Sequence, residues 1–347
     1  MKKASLMSRR RLVLMAVGGA VGVLLIFGAF TGGRAWWAWR SIERFEFDLT
    51  EAREAVSTPD DASDQGTATQ PSSQGGPALD PISTTAYDTV LVIGSDERSE
   101  GYTKNREGPF ADVILYYLAP RDGGAPLLVS LPRDLEIADP CTGGTTILAN
   151  TFAGCGELIS GAELVALAVE DYTGVPVDHF GIVNFDGLVG VVDAVGGVTI
   201  CVQYALRETT TDLLPEGCSA ADGATALAWI RSRQTQEYVE GEWRFVEGIS
   251  DLSRIQRQQE LLFALLAKLK TMRSPTALTA VVTDLGDALQ LDEGFSLGEA
   301  IGMAWQLRGT STADFRRLTV PVEAFVTDEG IFMARPTMTF VELIDTG

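Results

Sequence analysis

A chain of 347 residues, 46% hydrophobic and 21% charged, is long enough to bury a sizeable core and is neither disordered nor fibrous. Its formal net charge of −20 repels phosphate backbones and argues against general nucleic-acid binding. One His and four Cys without a CxxC exclude a His-cluster metal site, a zinc ribbon and a thioredoxin motif, and leave little room for Ser-His-Asp chemistry.

Residues 12–33, LVLMAVGGAVGVLLIFGAFTGG, carry no charge, and about 20 apolar residues suffice to cross a bilayer core. Lys2, Lys3, Arg9, Arg10 and Arg11 precede this run. The positive-inside rule therefore predicts a cytoplasmic tail over 1–11, a transmembrane helix over 12–33, and everything beyond it outside the cytoplasm. A cleaved signal peptide is the competing reading, but the run is too long for an h-region and no convincing A-x-A site follows. Residues 34–56 are charged with apolar spacing and are expected to continue the membrane helix, with Trp36, Trp37 and Trp39 at the interface. Residues 57–86 are Ser, Thr, Pro, Gly, Gln and Asp with almost nothing to bury, which reads as a linker. The segment 34–86 is thus expected to be membrane-proximal chain and linker, and 87–347 the extracytoplasmic domain.

Within that domain, apolar runs bounded by turn residues predict strands at 89–93, 113–118 and 127–131. Ser160 followed by Glu163 has capping-box spacing and opens a helix to Tyr172. A strand over 179–185, a short helix over 187–195 and a strand over 198–202 follow. Asp222 is expected to cap a helix to Ile230, and Ser250 or Asp251 a longer one to about Met272, stopped by Ser274-Pro275. Ser296 and Glu299 open a further helix, and a strand lies near 318–322. Strands interleaved with helices indicate a layered α/β fold. The four Cys fall as two local pairs, and in an exported chain the expectation is Cys141–Cys155 and Cys201–Cys218 bridges rather than four buried thiols.

Charges gather where strands stop. TVLVI runs into Asp96 and Arg98, Asp112 directly precedes VILYYL, and LLVSL runs into Pro132-Arg133-Asp134. Ligands of α/β sheets bind at strand ends, although taken singly such residues are ordinarily turn residues and caps. A second group is basic: Arg231 and Arg233 after one helix, and Arg254, Arg257 and Gln258 in the first turns of the next. A solvated amphipathic helix is the plain reading of the latter. Bases are scarce in this acidic domain, however, and Arg forks pair bidentately with phosphate oxygens. Two Asp suited to a hard cation and several Arg suited to phosphate suggest a diphosphate site.

The stretches VLVIGSDER (90–98), ADVILYYLAP (111–120), LLVSLPRDLEI (127–137), GVPVDHFGIVNFDGLVGVVDAVGGVTI (174–200), DGATALAWIRSRQ (222–234) and SDLSRIQRQQELL (250–262) resemble, in order and spacing, the LytR-CpsA-Psr family of cell-wall glycopolymer transferases. The resemblance implies an α-β-α fold: a mixed central sheet between helices, an apolar pocket for a lipid, and one preceding transmembrane helix. It implies an extracytoplasmic phosphotransferase. Such an enzyme moves a glycan from a polyprenyl-diphosphate carrier in the membrane to a peptidoglycan muramic-acid hydroxyl, or to a glycoprotein acceptor, and releases polyprenyl phosphate. Carried over by position, Asp96 and Asp112 match the Mg²⁺ ligands. Arg133, Asp134, Arg231, Arg233 and Arg254 match the catalytic set, with Asp251 or Asp134 orienting the acceptor hydroxyl. Arg98, Arg257 and Gln258 match substrate-binding positions. Three departures stand out: Phe110 and Ile137 occupy usually basic positions, and ILANTF (147–152) lacks a usual preceding Lys. Arg98, Lys104 or Arg106 is a candidate substitute, with Lys104 and Arg106 simply facing solvent as the equal alternative. Two other functions share the same residues: a polyprenyl-diphosphate pyrophosphatase, with water as acceptor, and a non-catalytic lipid-carrier-binding or envelope regulatory protein.

Overall fold

The computed structural model describes residues 39–57, 86–95, 111–232, 234–245, 251–272, 288–308 and 313–346, with a few isolated positions before residue 39 and between 272 and 288. The apolar run 12–33, apart from Gly33, and linker residues 58–85 lie outside the described residues. Among those described, no helix is long and apolar enough to cross a membrane.

The centre is a mixed sheet of β1 (Glu43–Phe45), β2 (Tyr87–Ser95), β3 (Ala111–Pro120), β4 (Leu127–Ser130), β5 (His179–Asn184), β6 (Leu289–Asp292) and β7 (Arg316–Thr319), in the order β1-β6-β5-β2-β3-β4-β7. β2 pairs parallel with β5 and antiparallel with β3. The helices are α1 (Leu49–Ser57), α2 (Gly161–Thr173), α3 (Phe185–Ala194), α4 (Gly223–Arg231), α5 (Asp251–Thr271), α6 (Leu297–Arg308) and α7 (Phe340–Thr346).

Alternation along β3 builds a core on each face. Ile114, Tyr116 and Leu118 pack with α2 and α7, whereas Val113 and Leu115 pack with α3, α4 and α5. Both faces are covered, which explains the near-continuous apolar runs of the central strands. Tyr116 is fully buried, yet its hydroxyl donates to Pro176 O at 2.6 Å, so burial raises its pKa without orphaning it. The expected Ser160–Glu163 capping box opens α2, and Asp222 caps α4 through Thr225 N.

The N-terminal boundary differs from expectation. Residues 43–57 do not continue a membrane helix; they belong to the domain. β1 adds a parallel edge strand beside β6. Phe45 and Phe47 pack on Phe180 at centroid distances of 5.9 and 5.5 Å, and Ala52 of α1 is buried against Ile159, Leu164 and Leu167. Apolar spacing over a three-residue strand and a short helix resembles one amphipathic helix, and only the partner elements distinguish the two readings. The fold therefore starts near Ile42, which is buried.

β1 is linked to the single histidine through Asp292 and Phe295. His179 Nδ1 lies 3.4 Å from Asp292 Oδ1, its Nε2 lies 3.7 Å from Glu299, and its ring stacks on Phe295 at 4.5 Å. Arg44 reaches Asp292 O and Phe295 O at 3.0 and 2.9 Å. Burial alone would lower the His179 pKa, but the hydrogen bond and charge of Asp292, with Glu299 and Asp178, outweigh it and raise it above the ordinary 6.5. Protonated His179 thus stabilises the fold fully below pH 6.5, and this contribution is lost as pH rises through the raised folded value. Thermal melts of wild type are expected to show a falling Tm across that window, and those of His179→Gln a flatter one.

Both expected disulfides are present, Cys141–Cys155 and Cys201–Cys218. The second joins directly opposed residues of the ribbon Val198–Val202 and Gly217–Ala221. A loop of this length contributes about 3 kcal/mol in the chain-entropy model. The double variant Cys201→Ala/Cys218→Ala is expected to lose about that much in chemical denaturation.

Candidate active site

Strand register gathers the first charged group. Ser95 of β2 lies opposite Ala111, and Ser130 of β4 opposite Leu115. Asp112 at the start of β3 and Arg133-Asp134 just past β4 therefore share one end of the sheet. There Arg133 Nη1 donates to Asp112 Oδ1 at 2.8 Å, and Arg133 Nε lies 3.4 Å from Asp134 Oδ2. The Arg133 backbone is splinted on both sides. Ala149 N donates to Arg133 O at 2.8 Å, Leu148 N to Leu135 O at 2.9 Å, and Ala334 N to Asp134 O at 2.8 Å. ILANTF thus acts as a 3₁₀ brace (Leu148–Ala153) whose Leu148, Ala149 and Phe152 are buried. Ile137, at a position expected to be basic, is a core residue beside this brace.

The second group forms where α4 meets α5. Arg231 ends α4. Arg257 of α5 donates to Trp229 O at 2.8 Å, to Thr235 Oγ1 at 3.2 Å and to Ser232 O at 2.7 Å. Burial lowers its pKa, Glu208's charge opposing that shift. Glu208 accepts from Gln234 N at 3.1 Å and from the Ser232 hydroxyl. Arg257, expected among the substrate-binding residues, is thereby engaged with the protein itself and holds the Arg231 end of α4 in place. On another side of α5, Gln259 Nε2 donates to Ser130 Oγ at 2.7 Å and to Leu318 O at 3.3 Å. The first turns of α5 are pinned between the α4 end carrying Arg231 and the β4 end leading to Arg133. Arg254 and Gln258 lie in this pinned segment and are 7% and 8% exposed. Gln259 and Glu208 carry no signal in the sequence beyond Gln259 being the third Gln, after Gln256 and Gln258, in the first turns of α5. Asp96, Arg98, Lys104, Arg106, Phe110, Arg233 and the Asp251 side chain lie outside the described residues.

The chemistry of this end suits Mg²⁺. Asp112 offers hard carboxylate oxygens, and the Ser95 hydroxyl, at the end of β2, is buried and makes no hydrogen bond among the described residues. Those residues contain no group of three His, Cys, Asp or Glu placed to hold a metal ion by themselves. An ion here would rely on substrate oxygens as well, as Mg²⁺ commonly does.

The class so defined is a layered α/β domain with carboxylates and guanidinium groups set at a sheet end and a helix junction. The chain belongs to the LytR-CpsA-Psr family: residues 50–341 match the LytR_cpsA_psr family model. The probable cell wall biosynthesis protein LcpB of Corynebacterium glutamicum is 29% identical over 258 residues, 70% of this chain and 56% of the relative. The Bacillus subtilis polyisoprenyl-teichoic acid–peptidoglycan teichoic acid transferase TagT is 28% identical over 224 residues, 62% of each. The chain therefore spans little more than half the length of these relatives. A LytR-Csp2A-Psr enzyme from Actinomyces oris shares the fold, with a TM-score of 0.60 and 21% identity over 76% of this chain and 90% of that one.

Proposed function

We propose that this protein is a membrane-anchored, extracytoplasmic phosphotransferase that moves a glycan from a polyprenyl-diphosphate carrier to a cell-wall hydroxyl as a phosphodiester. The observation that carries this reading is Arg133 held between Asp112 and Asp134 at the sheet end, beside a helix junction rich in arginine. The name of TagT supports it, as does the apolar run 12–33, which would act as the anchor with its N-terminus inside.

In this reading the diphosphate lies between Arg133, Arg231 and Arg254, with Arg233 and Gln258 beside them. The acceptor oxygen attacks the phosphorus that bears the glycan. The bond from that phosphorus to the bridging oxygen breaks, and polyprenyl phosphate leaves. Asp134 or Asp251 takes the hydroxyl proton. The guanidinium forks stabilise charge on the phosphate oxygens in the transition state. Asp96 and Asp112 would hold Mg²⁺, which when bound neutralises charge on the diphosphate. The prenyl chain would lie against the core on the α4–α5 face, where Tyr117, Leu262, Leu266 and Leu269 are only partly buried.

The test is incubation of the full chain with a polyprenyl-diphosphate oligosaccharide and soluble peptidoglycan. Polyprenyl phosphate and a new phosphodiester are the expected products. Release to water alone identifies a pyrophosphatase, and no release at all identifies a carrier-binding protein.

A further inference from the structure

The chain between Arg231 and Arg254 contains two strands. Thr235–Val239 and Glu242–Phe245 form an antiparallel hairpin, and Thr235–Val239 also pairs with Leu206–Glu208. Register assigns the side chains to faces. Tyr238 opposes Trp243, Gln236 opposes Phe245, and Gln236 also opposes Arg207. Successive strand residues alternate, so Arg207, Gln236, Tyr238, Trp243 and Phe245 share one face. The other face carries Leu206 and Thr235, both buried against the domain.

The first face is open. Phe245 is 62% exposed and Tyr238 45%. It is also organised: Tyr238 and Trp243 lie 5.1 Å apart, Arg207 stacks 4.2 Å over Trp243, and Arg207 Nε donates to Gln236 Oε1 at 2.6 Å. Three aromatic rings gathered on an open strand face exceed the scattered apolar side chains of an ordinary surface and mark a binding platform. The hairpin leaves the end of α4 four residues after Arg231 and returns to α5 nine residues before Arg254. The hairpin thus belongs to the segment that joins the two arginine-bearing helices, and Thr235, on its other face, accepts from Arg257.

We propose that this aromatic face is a subsite for the uncharged sugar chain of the donor glycan. Sugar C–H groups pack on the electron-rich faces of aromatic rings, while Gln236 offers an amide to hydroxyls. The charge pattern selects against the other obvious polymer. Glu237, Glu240 and Glu242 rim the hairpin, the chain carries −20, and the Arg207 guanidinium is already engaged with Trp243 and Gln236. A polyanionic glycopolymer is repelled here; a neutral one is not. This inference rests on the glycan-transfer reading for its choice of ligand, but it is tested by binding rather than by turnover.

The probes are two polysaccharide fractions, neutral and phosphate-rich, released by mild acid from the source organism's own wall. They are titrated against the full chain in detergent while tryptophan fluorescence is followed. The neutral fraction is expected to bind and to shift the Trp243 emission. Tyr238→Ser and Phe245→Ser, both at exposed positions, are each expected to weaken binding at least tenfold without changing the melting temperature. Arg244→Ser, on the opposite face, is expected to bind as wild type does. Absence of neutral-glycan binding, equal binding by the serine variants, or preference for the phosphate-rich fraction overturns the subsite. A wild-type dimer in sedimentation that Tyr238→Ser converts to monomer also overturns it, by showing that a second copy covers the face. A chain that binds the neutral glycan and releases no polyprenyl phosphate keeps the subsite and loses the transfer reading; turnover without platform-dependent binding does the reverse.

Discussion

Asp112→Ala is expected to lose about 100- to 1,000-fold in turnover, a loss typical of removing one charge-stabilising group from a transition state. Two roles meet on this carboxylate. It accepts the 2.8 Å hydrogen bond that aims Arg133, and in the proposed reaction it carries the divalent cation. Its contribution to the fold is small by comparison. The side chains of Asp112 and Arg133 are 20% and 25% exposed, so the pair is part-buried but still reached by water. Its loss is expected to cost about 1–2 kcal/mol, between a surface and a buried pair. A loss of that size moves Tm by a few degrees. Asp112→Asn separates the two roles, because the amide oxygen still accepts from Arg133 while the charge is gone. If aiming Arg133 is the whole role, the Asn variant keeps most turnover; if the cation matters, it falls nearly as far as the Ala variant. Full activity of Asp112→Ala would remove the residue from the mechanism, and full activity of wild type in EDTA would remove the metal.

The sequence made the interior legible and the margins obscure, for a physical reason. β2, β3 and β4 are covered on both faces, so they read as apolar runs, and α2 and α4 carry their caps in their own first turns. These elements state their structure locally. β1 is three residues long and exists because β6 offers it a parallel edge. The strands Leu206–Glu208, Thr235–Val239 and Glu242–Phe245 mix polar and aromatic residues and are likewise held by their partners. Such strands are products of tertiary context, which single-sequence periodicity does not register. The candidate site divides the same way. Asp112 and Arg133 stood out because strand ends in an α/β sheet are where ligands bind, and the structure joins them. Arg257, expected to meet substrate, meets backbone carbonyls in the structure; an Arg in the first turns of a helix looks alike in the sequence whichever it does.

Arg254 and Arg257, three residues apart on α5, are expected to fail in opposite ways when changed to Lys. Arg257 is tied to two backbone carbonyls and a hydroxyl around the end of α4. Lysine cannot span those acceptors with one ammonium, and each charge-assisted bond contributes about 1.5–3 kcal/mol. Arg257→Lys is therefore expected to lower stability by about 2–3 kcal/mol, with activity recovering at lower temperature as the Arg231 segment re-docks. Arg254 is 7% exposed, in a segment that Gln259 ties to Ser130 and that Arg257 ties to α4. Those ties are untouched when Arg254 changes, and Arg254→Lys keeps the charge, so the fold is expected to survive. The proposed bidentate grip on the diphosphate would be lost. At about 1.5–3 kcal/mol per charge-assisted bond, turnover should fall about 10- to 150-fold. Measuring kcat/KM and Tm for both variants side by side decides the assignment. If Arg254→Lys turns over like wild type and only its Tm drops, Arg254 is a second structural brace, and the diphosphate must be held by Arg133 and the α4 end alone.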